Sequence, residues 1–267
     1  MQKTIFIDID GTLRNSKREL TPKVIESVKK ATKRGIQVVL CSARSRVYTK
    51  MIKEACGAGP WMINSNGAEI YHGETKQILH QIGMPKDACK KLYEIASKHQ
   101  IGFEMFTDDK IVYINNPAVE IDAKERLQEP IDIFLEKNIV VQCVISDRNF
   151  ELMKSLKNEI EAIEQVEVKN RSKSLLYSNL PPKGIIYYNL NATQASKGNA
   201  ISTFCRHLGI HREDTIAIGD SVNDISMFDV VGKGVAMGNA LPIVKEHADS
   251  ITLGNDEDGV AVFLNAL

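Results

Sequence analysis

The sequence predicts an α/β protein, a parallel sheet flanked by helices and interrupted by an inserted α+β domain. Two observations predict it. Short apolar strands alternate with amphipathic helices at both ends of the chain, whereas the middle switches to hairpin-like strands among helices. Residues able to carry chemistry follow the strands of the two flanks, where open parallel sheets hold their ligands.

The elements follow in order. Ile5, Phe6 and Ile7 form an apolar run suited to a strand buried on both faces. Thr21-Pro22 announces a helix, Thr21 as N-cap and Pro22 at the first helical position, continued by Val24, Val28 and Ala31 and stopped by Gly35. Gln37–Cys41 is a second strand, followed by a helix through Met51 that ends near Gly57; Trp61–Asn64 is a third strand, and Glu69–Tyr71 begins a hairpin. Strands and helices in this order form right-handed βαβ units.

Pro85 then opens a helix over Asp87–His99, and strands are expected at Phe103–Phe106 and Ile111–Asn115, around Asp108-Asp109. Ile131–Lys137 reads as a helix, Val140–Ser146 as a strand and Asn149–Ile163 as a helix, with strand-like pieces at Val166–Lys169, Leu175–Ser178 and Gly184–Asn189. The α/β pattern returns with a helix at Asn199–Leu208, a strand at Thr215–Gly219 and a helix at Val222–Val230. Val235–Met237, a helix at Leu241–His247, a strand at Ser250–Thr252 and a helix near Gly259–Ala266 complete it. The expected division is a core from residues 1–82 and 189–267, with an inserted domain at 83–188.

Composition bounds the function. The 267 residues carry 34 Lys+Arg and 34 Asp+Glu, so the zero net charge lacks the footprint of a nucleic-acid binder. No apolar run approaches the about 18 residues of a membrane span, and Asp8 and Asp10 interrupt the early apolar stretch, so neither a membrane partner nor a secretory leader is expected. Five widely spaced cysteines without a CxxC pair fit reduced thiols in the cytoplasm. The six histidines show no metal-ligand spacing.

The chemistry lies at the strand ends. Asp8, Asp10, Gly11 and Thr12 follow the first strand, Ser42 and Arg44 the second, Ser65, Asn66 and Gly67 the third. Asp220, Ser221, Asn223 and Asp224 follow Thr215–Gly219, and Lys197 begins the preceding helix. Asp-Gly is a common turn dipeptide, yet an Asp ending an apolar strand is costly unless something uses it. Clustered carboxylates need a cation, and Mg2+ suits carboxylates, waters and a phosphate oxygen. With Lys197 and the metal balancing charge, Asp8 can attack phosphorus as a nucleophile. Asp10, two residues on, can protonate the leaving oxygen and later deprotonate the attacking water.

Asp8-x-Asp10-Gly11-Thr12, Ser42, Lys197 and Gly219-Asp220-Ser-x-Asn223-Asp224 resemble the four motifs of the haloacid dehalogenase (HAD) superfamily of phosphatases. The long insertion, with Asn66-Gly67-Ala68 before it and Ser196-Lys197-Gly198 after it, resembles the Cof-type branch. The resemblance implies a Rossmann-like parallel-sheet core with a type IIB α+β cap whose closure shapes the leaving-group pocket. It implies Asp8 as nucleophile, Asp10 as general acid/base, and Ser42 and Lys197 as holders of the phosphoryl group. Mg2+ would be held by the Asp8 carboxylate, the Asp10 carbonyl and Asp220, with Asp224 as either a further ligand or a support for one. Asn223 would bind phosphate or orient its loop, and Asn66 would face substrate, against the plainer reading of Asn66-Gly67 as a turn.

Two departures stand out: Cys41-Ser42-Ala43-Arg44 where the branch usually has Ala-Thr-Gly-Arg, and Arg14 where it carries an apolar residue. Ser42 keeps the hydroxyl. Arg14 either tunes substrate or cap contacts or points to solvent, and Arg44 either binds phosphate or makes an ion pair, the second being favoured. Asn255-Asp256-Glu257-Asp258-Gly259 resembles a loop near the site in this branch, but capping of the last helix explains it as well. The Tyr187-Tyr188 pair is expected at the cap junction. The expected function is Mg2+-dependent hydrolysis of a small phosphorylated metabolite in the cytoplasm. The rivals are a phosphotransferase or phosphomutase sharing the aspartyl-phosphate, and a non-catalytic phospholigand-binding regulator.

Overall fold

A computed structural model describes residues 3–108, 110–115, 124–171 and 184–267. The chain divides into two compact units, Met1–Gln81 with Ala195–Leu267, and Ile82–Gln194. The first unit contains β1 (Thr4–Ile7), α1 (Pro22–Lys33), β2 (Gln37–Cys41), α2 (Arg46–Cys56), β3 (Trp61–Asn64), β4 (Glu69–His72) and β5 (Ile78–Gln81). The inserted unit contains α3 (Lys86–His99), β6 (Gly102–Phe106), β7 (Ile111–Ile114), β8 (Lys124–Arg126) and α4 (Ile131–Lys137). It continues with β9 (Gln142–Asp147), α5 (Phe150–Ser155), α6 (Lys157–Glu161), β10 (Val166–Arg171) and β11 (Ile186–Ala192). The first unit resumes with α7 (Lys197–Leu208), β12 (Thr215–Gly219), α8 (Ile225–Phe228), β13 (Lys233–Ala236), α9 (Pro242–Glu246), β14 (Ser250–Ile251) and α10 (Gly259–Asn265).

The first unit is a Rossmann-like α/β core built on an eight-stranded sheet of order β14-β13-β12-β1-β2-β3-β4-β5. The strands from β14 to β3 run parallel, and the β4–β5 hairpin adds an antiparallel edge. Alternation along β1 feeds two cores. Ile5 and Ile7 pack with Val38, Leu40, Ile218 and the apolar faces of α1 and α10, while Phe6 packs on the opposite face with Val39, Ala217 and Phe204 of α7. Phe204 meets Phe6 and Trp61 edge-on, at centroid distances of 5.8 and 5.6 Å. Helix ends follow local chemistry. Thr21 Oγ1 accepts from Val24 N at 3.2 Å, and Gly57 ends α2 at φ 73°.

Successive strands leave β1 toward β2 and β3 on one side and toward β12, β13 and β14 on the other. The switch in strand order therefore lies between β1 and β12, where such sheets hold ligands beyond the strand ends. Ile7 pairs with Ile218, so Asp8 and Gly219-Asp220 emerge side by side, and Asp8 N donates to Ile218 O at 3.0 Å.

The inserted unit has its own sheet, of order β10-β11-β9-β6-β7-β8, antiparallel except for β7–β8. Phe103, Met105, Leu92, Phe134, Ile145 and Tyr188 are among the residues of its core. Several details differ from the sequence expectations. The boundary expected at residues 188/189 falls inside β11, which stays paired with β9 and β10, so the core resumes at Ala195. Tyr188 is buried in the inserted unit's own core, its hydroxyl donating to Met153 O at 3.0 Å. The helix expected over Asn149–Ile163 divides at Leu156 into α5 and α6 and stops at Glu161, although Leu156 N still donates to Leu152 O at 3.0 Å. β8 was not anticipated, because Lys-Glu-Arg carries no apolar alternation. Asp109 and Leu175–Ser178 lie outside the described residues. No described helix is long and apolar enough to cross a membrane.

Candidate active site

The site is assembled from the ends of β1 and β12 and the first turn of α7. Asp8 follows β1 and is 6% exposed; Asp220 follows β12 at 5%; Asp224, in the 3₁₀ turn Val222–Asp224, is at 0%. Carboxylate oxygens of all three lie within 4.8 Å of one another. Lys197 is the first residue of α7, placed there because Ser196 caps the helix, its hydroxyl accepting from Asn199 N at 3.1 Å. Its Nζ stands 2.5 Å from Asp8 Oδ1 and 2.6 Å from Asp224 Oδ1.

The supports are tight. Asp224 Oδ2 accepts from Asp220 N at 3.0 Å and Ser221 N at 2.9 Å, which is why the segment after β12 starts as a 3₁₀ turn before α8. Thr12 Oγ1 donates to Asp220 Oδ1 at 3.0 Å. Between Asp10 and Thr12, Gly11 sits at φ 91°, and a Cβ there would lie 2.4 Å from Asp220 Oδ2. Lys197 balances only part of this charge. Burial, then the Asp224 and Asp220 charges, raise the Asp8 carboxyl well above its ordinary range against the opposing pull of Lys197. Burial alone would lower the Lys197 ammonium, but Asp224 and Asp8 outweigh it and hold it above its ordinary value. Burial pushes the Cys41 thiol up, so it stays protonated beside this cluster.

Asp10 faces a different set of partners. Arg44 Nε lies 2.7 Å from its Oδ2 and Arg14 Nη1 3.3 Å from its Oδ1. Burial opposes its ionisation, yet Arg44 and then Arg14 outweigh burial and hold its carboxyl below the ordinary value. Both guanidiniums lie over the Tyr48 ring, and Arg14 also bonds the Tyr48 hydroxyl and the Arg18 carbonyl. Arg44 thus makes the favoured ion pair. Arg14 does not point to solvent, because its side chain is 13% exposed and gripped on three sides.

Ser42 is 1% exposed at the end of β2, and its Oγ accepts from Arg44 N at 3.1 Å. Asn66 is also 1% exposed; its Oδ1 accepts from Asn223 Nδ2 at 3.0 Å, joining the turn after β3 to the turn after β12. Ser65, Asn66 and Gly67 all have positive φ, at 49°, 57° and 91°. Gly67 lies so close to α7 that a Cβ would stand 2.1 Å from Ser196 O. Below this turn, Glu69 is bound by Asn64 Nδ2 at 3.0 Å and by both nitrogens of an Arg46 fork, the second a close contact.

The structure therefore brings Asp8, Asp220, Asp224 and Lys197 together, sets Asp10 against Arg14 and Arg44, and pairs Asn66 with Asn223. Sequence reasoning missed the grip of Arg14 on Asp10; the departure from an apolar residue at position 14 was the signal.

The sequence pattern of haloacid dehalogenase-like hydrolases matches residues 5–264. The chain is 32% identical to phosphatase YwpJ of Bacillus subtilis (strain 168), over 99% of each chain. It is 30% identical to 5-amino-6-(5-phospho-D-ribitylamino)uracil phosphatase YcsE of the same organism, over 97% of this chain and 93% of the relative. A haloacid dehalogenase-like hydrolase from Bacteroides thetaiotaomicron superposes with a TM-score of 0.82 at 28% identity, covering 100% of this chain and 99% of that one.

Proposed function

Because the chain belongs to the haloacid dehalogenase-like hydrolase family and is a phosphatase, we propose that it is a Mg2+-dependent phosphomonoesterase working through an aspartyl-phosphate on Asp8. The observation that carries this reading is the buried group of three carboxylates at the switch point of the sheet, two of them, Asp8 and Asp224, paired to the one Lys197 ammonium. Its excess negative charge and all-oxygen donors fit a hard divalent cation. Asp8, Asp220 and the Asp10 carbonyl would hold Mg2+, with Asp224 as a further ligand or as the anchor of the Asp220 backbone. Bound there, Mg2+ would neutralise charge and polarise the phosphoryl group.

The chain's own residues supply the rest. An Asp8 carboxylate oxygen bonds to phosphorus as the bond from phosphorus to the ester oxygen breaks. Lys197 and Ser42 hold nonbridging oxygens, and Asn223 orients its loop through Asn66. The departing oxygen takes its proton from Asp10. Asp10 then removes a proton from water, whose oxygen displaces Asp8 and yields phosphate. Arg44 and Arg14 favour the base half of this cycle, since they stabilise the carboxylate.

The substrate class we infer is a small phosphorylated metabolite, which the phosphatase relatives support. The test is phosphate release from a panel of sugar phosphates, pyridoxal phosphate, flavin phosphates and p-nitrophenyl phosphate, with Mg2+ and with EDTA. Turnover should require Mg2+, and Asp8→Asn should lower it by about 10⁴-fold or more. Turnover that survives EDTA, undiminished activity of Asp8→Asn, or no hydrolysis across the panel would each overturn the reading.

A further inference from the structure

The segment Asn255–Asp258, open from sequence to a plain reading as a helix cap, does something else. Asp258 caps α10 by backbone position only, with no side-chain capping bond, and the 3₁₀ turn over Asn255–Glu257 is closed by Glu257 Oε2 accepting from Gly254 N at 3.1 Å. The remaining side chains reach across to the loop between β1 and α1. Asn255 Nδ2 donates to Arg14 O at 2.9 Å, Asp256 Oδ1 accepts from Ser16 N at 2.8 Å, and Asp258 Oδ1 accepts from Thr21 Oγ1 at 2.5 Å.

A second asparagine completes the arrangement. Asn239, after β13, donates Nδ2 to Gly11 O at 2.9 Å, while its Oδ1 accepts from Asn255 N at 2.9 Å. The Asn239 side chain thus ties Gly11 O to the Asn255 main chain, and the Asn255 side chain ties that same residue to Arg14 O, so the carbonyls at both ends of Gly11–Arg14 are held from one place. Within that stretch Thr12 holds Asp220 and Arg14 holds Asp10, and the turn closes through Leu13 N to Asp8 O at 3.2 Å and Arg14 N to Ile9 O at 3.0 Å. Asn239 is exposed and Asn255 half-buried, where single neutral hydrogen bonds add little to stability. What the bridge does supply is geometry.

We propose that Asn239 and Asn255 are positioning residues of the phosphatase reaction, an amide clasp that fixes the turn carrying Asp10 and Thr12. Its catalytic consequence rests on the function proposed above; its structural content does not. Asn239→Ala, Asn255→Ala and the double variant are compared with wild type and with Asp249→Ala, which removes a separate contact of 2.7 Å to Gly234 N far from this turn in sequence.

Two readouts are taken: amide hydrogen exchange of the peptide spanning Asp8–Arg14, and kcat and KM with p-nitrophenyl phosphate and Mg2+. Each clasp variant should speed exchange at Leu13 and Arg14 and lower kcat about tenfold at nearly constant KM, while Asp249→Ala does neither. The double variant should fall by less than the product of the two single losses, because both asparagines hold the same turn. Unchanged exchange at Leu13 and Arg14 overturns the clasp whatever the activity does. A lowered melting temperature with kcat intact, or kcat losses that multiply, overturns it equally. If wild type hydrolyses no ester, the proposed function fails, and exchange alone decides the clasp.

Discussion

The Lys197 side chain is 1% exposed and its ammonium touches Asp8 and Asp224, so removing it strands two buried carboxylates. Breaking a buried pair from one side leaves uncompensated charge. Lys197→Met should therefore lower the unfolding free energy by about 3–5 kcal/mol in urea titration as well as abolish turnover. A loss within about 1 kcal/mol, the scale of an exposed ion pair, would show that the charges were never desolvated. Asp10 permits a pH prediction. Against the effect of burial, Arg44 and Arg14 hold its folded-state value below the ordinary 3.8. Ionised Asp10 therefore contributes stability that is present above the unfolded value and lost as pH falls through the folded one. Arg44→Gln removes the main opposing charge, so wild type should lose more stability than the variant between about pH 5 and about pH 3, by denaturant unfolding. Equal losses would remove Arg44 as the cause.

At the scale of elements, the site depends on turns meeting helix ends. Gly67, at φ 91°, lets the turn after β3 press against Ser196, beside the residue that carries the ammonium, where any Cβ would stand 2.1 Å from Ser196 O. Gly67→Ala should push that turn off α7, lowering both the melting temperature and kcat, by more than the about 1 kcal/mol typical of a single substitution. Unchanged kcat would mean that the turn does not support Lys197. Much at this scale is legible in sequence because it is local. Thr21-Pro22 starts α1 and Gly57 ends α2 through contacts within a few residues. The 3₁₀ turn at Val222–Asp224 was not legible as such, since an apolar periodicity suits either helix type and the choice lies with Asp224 binding Asp220 N and Ser221 N. The end of the inserted unit escaped for a related reason. Ile186, Tyr188 and Leu190 alternate without a break through the expected boundary, and only pairing with β9 and β10 assigns them to one sheet.

At the scale of the molecule, the inserted unit has a core of its own that, among the described residues, shares no member with the two cores of the first unit. Phe103→Ala, at a fully buried position of that core, should cost the inserted unit about 3–5 kcal/mol and lower one calorimetric transition while leaving the other in place. A single transition moving as a whole would show the two units unfolding together. Charge is uneven at the site: the chain is neutral overall, with 34 residues of each sign, yet three carboxylates cluster at the sheet switch point and two of them share one lysine. The sequence by itself determined the α/β pattern of the flanks, the insertion and the motif residues at the strand ends, because periodicity, caps and strand-end polarity report short-range preferences and burial. Only the tertiary structure decided that Asp10 turns to Arg44 and Arg14, that Asn66 pairs with Asn223 and that Asn255 reaches Arg14 across 241 positions. Such partners are chosen by strand order and register, which bring distant segments to one edge and leave no trace in the spacing along the chain.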